Sequence, residues 1–157
     1  MRKTISLLCL AALWIAALPA AGEEPANNLK SIHDKLAADK RAIVGQYMDL
    51  SDAEAKAFWP VYDQYQADLG KIQQRMVALL ESYAADYNAK SLTDEKAQKL
   101  LADWIAIDQD EIKHRKEYAP QILKVLPAPK AARYLQIENE YRAVVRYDLA
   151  TTVPLAE

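Results

Sequence analysis

The chain is 157 residues long and carries 20 Lys and Arg against 22 Asp and Glu, a formal charge of −2. That length allows one domain of ordinary size, and the interspersed signs lack the basic footprint of a nucleic-acid binder and the polybasic face that anionic lipid selects. Three glycines in the whole chain exclude phosphate-cradling glycine loops and disfavour a turn-rich β fold, which leaves helix.

Residues 1–22 read as an export signal. Arg2 and Lys3 supply a positive start, Ile5 to Leu18 is apolar apart from Ser6, and Pro19, Ala20, Ala21 and Gly22 are the small residues of a cleavage site. The cut is placed after Gly22, with Ala20 and Ala21 as alternatives. The apolar run falls short of the ~20 residues that a spanning helix needs, and no second run of that kind follows. The processed protein is therefore expected to be periplasmic and soluble, with no stable membrane anchor. Cys9 is the single cysteine and leaves with the signal, since Leu8 before it is too large for a lipoprotein acylation site. The mature chain then has no disulfide, no thiolate nucleophile and no cysteine metal ligand.

Glu23 to Asn28 reads as a polar tether, and residues 29–153 as a single helical domain. From Leu29, the positions Leu29, Ile32, Leu36, Ile43 and Tyr47 share one helical face. Lys40 interrupts that stripe, so this first helix is expected on the surface. Gly45 weakens its end, and Asp49 and Leu50 lead into the next start.

The second helix has the clearest pattern. Ser51 with Glu54 three residues on forms a capping box, each side chain satisfying an amide that the helix start leaves unpaired. Beyond it, Phe58, Tyr62, Tyr65, Leu69, Ile72, Met76, Leu79 and Tyr83 alternate in steps of four and three. This 3.5-residue repeat keeps a seam on one side of a long helix, so the seam is expected to be a buried spine, with Gln73 on the polar face. Pro60 lacks an amide proton and its ring clashes with the Lys56 carbonyl, which predicts a kink or a split at Trp59-Pro60. From Pro60 to about Asn88 the helix spans ~40 Å at 1.5 Å per residue.

Asn88 to Leu92 is a turn, and Thr93 or Ser91 caps the third helix. Its apolar face is broad: Ala97, Leu100, Leu101, Trp104, Ile105, Ile107 and Ile112. Glu95–Lys99 and Glu111–Arg115 are surface pairs at four-residue spacing. Pro120 bends or ends this helix, and Leu126-Pro127-Ala128-Pro129 is a firm break. The fourth helix tolerates Pro129 in its first turn, carries Ala131, Leu135, Tyr141, Val144, Val145 and Leu149, and stops before Pro154. The expected fold is all-α: four helices in an elongated, bent antiparallel hairpin or bundle.

The later helices open alike. Leu50-Ser51-Asp52-Ala53-Glu54 precedes the second, Leu92-Thr93-Asp94-Glu95-Lys96 the third, and Leu126-Pro127-Ala128-Pro129-Lys130 the fourth. The first two resemble the Leu-Thr-x-x-Gln repeat of the Spy/CpxP family of periplasmic stress proteins, with Glu54 and Lys96 where that repeat has Gln. The resemblance covers most of residues 45–150. It implies a bent, elongated α-hairpin that often pairs as a cradle-shaped homodimer. Some members are ATP-independent chaperones, some restrain envelope-stress signalling, and related branches sense metal ions.

No catalytic constellation stands out. His33 and His114 are the neutral-pH bases, and no glycine-framed serine nucleophile is present, so no catalytic residue and no cofactor is assigned. Glu111-Ile112-Lys113-His114 is a Glu-x-x-His pair, of which carboxylate metalloproteins of the four-helix type use two. A single pair does not fill a closed coordination shell. The favoured reading is a solvated face with His114 beside Asp110 and Glu117, although a dimer brings two copies together. No metal site is assigned. Among the aromatics Trp59, Tyr62, Tyr65, Tyr83, Tyr87 and Trp104, the seam residues Tyr62, Tyr65 and Tyr83 read as core. Trp59 and Tyr87, at the seam's ends, are the better candidates for contact with unfolded clients. The expected function is non-enzymatic binding of unfolded or envelope proteins, as chaperone or stress adaptor. A metal-responsive periplasmic sensor is the alternative, and a small periplasmic enzyme comes third.

Overall fold

The computed structural model describes residues 39–156, and the signal, the tether and the positions Leu29, Ile32, His33 and Leu36 lie outside that range. Every regular element among the described residues is a helix. We label them α1 (residues 39–48), α2 (Asp52–Asn88), α3 (Asp94–Val125) and α4 (Ala128–Thr152). The all-α, four-helix class is as the sequence reads.

Local chemistry sets the boundaries. Asp49 takes the left-handed conformation, φ 47°, and stops α1, a conformation that Asp adopts more readily than most side chains. The Ser51 capping box then starts α2: the Glu54 amide donates to Ser51 Oγ at 3.4 Å, and the Ser51 amide donates to Glu54 Oε2 at 2.8 Å. At the other end the Ser91 amide reaches the Asp86 carbonyl and the Lys90 amide reaches the Tyr87 carbonyl. These two bonds make a Schellman stop, with Lys90 rather than glycine at the left-handed position, φ 52°. Thr93 Oγ1 accepts from the Lys96 amide and caps α3. Leu126 and Pro127 break the chain as expected, and Pro129 sits in the first turn of α4.

Neither internal proline ends or splits its helix. α2 is continuous through Pro60, and α3 through Pro120. Both prolines are exposed, as are Lys56 and Lys116 four residues earlier. The carbonyls that lose a helical partner therefore lie on the solvent side, where water completes them. α2 is 37 residues long, a single rod of ~55 Å rather than a short helix joined to a long one.

α2 and α3 pair as an antiparallel hairpin, and α4 turns back along α3. One end of this arrangement is densely packed. Phe58, Tyr62 and Tyr65 of α2 meet Tyr118 and Ile122 of α3, Leu126 just past its end, Ala131 and Tyr134 of α4, and Val44 and Met48 of α1. Val44 and Met48 are wholly buried, whereas Tyr47 is 48% exposed and Ile43 is half-buried. The first helix thus contributes to the core instead of lying on the surface. Its inward stripe falls one residue further along than the Ile43 and Tyr47 positions read from the sequence. Lys130 fastens this end: its Nζ donates to the Asp49 carbonyl at 2.5 Å and to Glu54 Oε2 at 2.6 Å. The Lys130 ammonium, with the Ser51 amide, draws the Glu54 carboxyl down to about 2.

Along the rest of the hairpin the seam thins. Tyr83 is buried, but Leu69, Ile72, Met76 and Leu79 are only half-buried. Gln73, expected on the polar face, is half-buried as well. The continuous spine is a spine at its ends.

Candidate protein-binding surface

The packed end is an assembly of aromatic rings. Phe58 meets Tyr134 edge-on at 5.1 Å between centroids, and Tyr65 meets Tyr118 at 5.3 Å and Tyr134 at 5.7 Å. Edge-to-face geometry of this kind adds to the area buried. The polar tips are occupied: the Tyr118 hydroxyl donates to Asp68 at 2.5 Å, and Gln66 Nε2 donates to Tyr134 Oη at 3.2 Å and Glu138 at 2.7 Å. Burial pushes the hydroxyls of Tyr62, Tyr65 and Tyr134 well above the usual phenol value. Burial and the bond to Asp68 bring Tyr118 to about 12. All four stay protonated at physiological pH, and the bonds of Tyr118 and Tyr134 tie α3 and α4 to α2.

His114 belongs to this core, which corrects the solvated-face reading. It is 5% exposed and lies between the rings of Tyr65, at 4.4 Å, and Tyr118, at 4.6 Å. Among the described residues its Nε2 has no hydrogen-bond partner. Burial lowers its pKa from the usual 6.5, opposed by Asp68, the Tyr65 carbonyl, Glu117 and Glu138. Glu111, three residues earlier, faces another way and takes Arg146 of α4 at 3.3 Å. The Glu-x-x-His pair is thus divided between two interfaces, because a three-residue step turns the helix by ~60° from one full turn. Among the described residues no group of three His, Cys, Asp or Glu side chains is placed to hold a metal ion.

The aromatic candidates divide in an unexpected way. Tyr62, Tyr65 and Tyr83 are buried, as their seam positions imply. Trp59 is built into the fold rather than offered to a client. Its ring lies under the Arg41 guanidinium at 4.2 Å and contacts Phe58 and Tyr62. A Cβ on Gly45 would rest 3.7 Å from it. Tyr87 is half-buried beside Tyr83, and Trp104 is half-buried on α3.

The exposed apolar surface lies elsewhere. α3 buries Ile107, His114, Tyr118 and Ile122 on its inner stripe. Leu101, Ile105 and Ile112 fall on a second stripe, ~140° away around the helix axis at about 100° per residue. They are 63%, 48% and 45% exposed. The broad apolar face read from the sequence is two stripes, and only one meets α2. Asp108 shares the outer stripe and binds Arg146 of α4, so α4 crosses beside it without covering it. α4 itself leaves Val144 and Tyr147 largely exposed. Its far end is tied by the Tyr83 hydroxyl, which donates to the Pro154 carbonyl at 2.9 Å.

One groove lies on the inner side of α3, and a second borders the outer stripe. The first, about 390 Å³, runs between α2 and α3, with Leu79, Tyr83, Leu100 and Ile107 among its lining residues. Its cations are all matched: Arg75 with Asp110, Lys96 with Asp86, Lys99 with Asp103. The second, about 340 Å³, lies between α3 and α4 and is richer in arginine. Neither surface pair expected on α3 forms: Lys99 takes Asp103 in place of Glu95, and Glu111 takes Arg146 in place of Arg115. In both cases a nearer acid or a cation from the facing helix wins. Comparison with family models, with curated proteins and with solved structures finds no match to this chain.

Proposed function

We propose that this chain is an exported, non-enzymatic helical protein of Spy/CpxP type that binds other proteins in the periplasm, as a chaperone or envelope-stress adaptor. The observation that supports this reading most is the outer stripe of α3. Leu101, Ile105 and Ile112 form a row of large apolar side chains exposed to water on one helix, with Asp108 in the row between Ile105 and Ile112. Contiguous exposed apolar surface rimmed by polar groups marks interaction sites. A rigid row of this kind meets apolar segments of many sequences, since the hydrophobic contact is non-directional. Among the described residues no helix is long and apolar enough to cross a membrane, which fits capture of partners from solution.

The test is aggregation of an unrelated, chemically denatured protein diluted into buffer without ATP. The processed chain should suppress light scattering at near-stoichiometric ratios. Scattering unchanged across a range of ratios contradicts the chaperone reading. The metal-sensor alternative draws no support from the geometry, because His114 is wedged between two tyrosines and Glu111 is held by Arg146.

A further inference from the structure

The α3/α4 groove carries an unbalanced charge, and the fold itself creates the imbalance. Arg115, Arg142 and Arg146 line it, with Asp108 as the one carboxylate among its lining residues. Arg146 takes that carboxylate, and also Glu111. Glu111 is the acid one helical turn before Arg115, its natural i,i+4 partner, so the docking of α4 strips Arg115 of its counter-charge. Arg142 donates to the neutral Asn139 Oδ1 at 2.5 Å. Among the described residues neither Arg115 nor Arg142 is in an ion pair. Both are half-buried, where screening by solvent is weaker than at a fully exposed site. This concentration of positive charge sits on a chain whose net charge is −2.

We propose that the α3/α4 groove docks an acidic, amphipathic segment of a partner protein, with carboxylates on Arg115 and Arg142 and apolar side chains on Ile112 and Ala143. The guanidinium fork matches a carboxylate in a bidentate fashion. Ile112 is both a lining residue of the groove and a member of the exposed stripe, so an occupant continues from the groove onto Ile105 and Leu101. That continuity favours a protein segment over a lipid headgroup, which needs the cations but not the apolar row. A volume of about 340 Å³ suits a few side chains rather than a folded domain. The inference rests on the protein-binding reading and adds the chemistry of the partner: acid alternating with apolar, at helical or extended spacing.

The experiment measures binding of a fluorescent synthetic peptide in which leucine faces one side and glutamate fills the other positions. A matched peptide carrying lysine in place of glutamate, and phosphatidylglycerol vesicles, serve as controls. The glutamate peptide should bind, more weakly as salt rises, and the lysine peptide should not. Arg115→Glu with Arg142→Glu should weaken the glutamate peptide at least tenfold, about 1.4 kcal/mol, and Arg115→Lys with Arg142→Lys, which keeps the charge and loses the fork, should weaken it by less. If the charge reversal does not fold, Arg115→Gln with Arg142→Gln reads the same loss. Equal binding of both peptides, unchanged affinity in the glutamate or glutamine double variant, or capture by vesicles in preference to peptide overturns the proposal. Failure to suppress aggregation with peptide binding intact sinks the chaperone reading and leaves the groove standing. Intact suppression with peptide binding indifferent to both arginines sinks the groove alone.

Discussion

The packed end and the middle of the α2/α3 hairpin share a sequence pattern and differ in what covers them. At the end holding Phe58, Tyr62 and Tyr65, four helices converge and the seam is sealed. Towards Ile72, Met76 and Leu79, α2 has α3 on one side and the seam is half-open. A heptad-like row therefore fixes where apolar side chains point, and the number of neighbouring helices decides whether they are buried. The sealed end supplies stability, and the open length supplies surface.

The largest test of that division lies at the sealed end. Phe58→Ala or Tyr134→Ala removes a fully buried ring and should cost ~3–5 kcal/mol in urea unfolding, as ring deletions from cores do. Ile72→Ala, at the half-open stretch, should cost about 1–2 kcal/mol, because less area returns to water. Equal losses at the two sites would erase the distinction between the packed end and the middle.

A smaller effect comes from His114. Its folded pKa lies below the ordinary 6.5 because burial disfavours the imidazolium. As pH falls through 6.5 the unfolded chain takes up a proton that the folded chain refuses, so stability drops. The loss begins above the range in which Glu54, ordinarily 4.5 and here about 2, contributes its own acid sensitivity. Thermal melts between pH 7.5 and about 5 should show a fall in Tm that His114→Gln abolishes. A fall that survives the substitution assigns the sensitivity to another group. The smallest change in stability is Lys90→Gly, which relieves a left-handed Lys at the end of α2. It should gain a few tenths to about 1 kcal/mol, the relief being partly offset by the greater freedom of glycine in the unfolded chain.

What the sequence reveals here is what local chemistry decides. Ser51 with Glu54, Thr93 and the Leu126-Pro127 break act on their own neighbouring amides, and each boundary falls where they place it. Pro60 and Pro120 end neither helix, because the carbonyls they orphan lie on exposed faces, and which face is exposed is settled by packing. His114 could not be placed from its own helix, since its burial depends on Tyr65 across the interface. Likewise the pairing of Glu111 depends on Arg146, thirty-five residues away. The outer stripe was visible as excess: seven apolar positions on α3 are more than one interface with α2 takes up. Which of them stayed in solvent was decided by the path of α4.

The central claim is that the outer stripe of α3 binds proteins and contributes little to holding the fold together. Replacing Leu101, Ile105 and Ile112 together by serine puts both halves of that claim in one measurement: aggregation suppression and thermal unfolding on the same protein. The account predicts suppression lost with Tm lowered far less than by Phe58→Ala, since these side chains are already 63%, 48% and 45% exposed. Suppression retained at the unmodified level, or a Tm lowered as far as by Phe58→Ala, would contradict it.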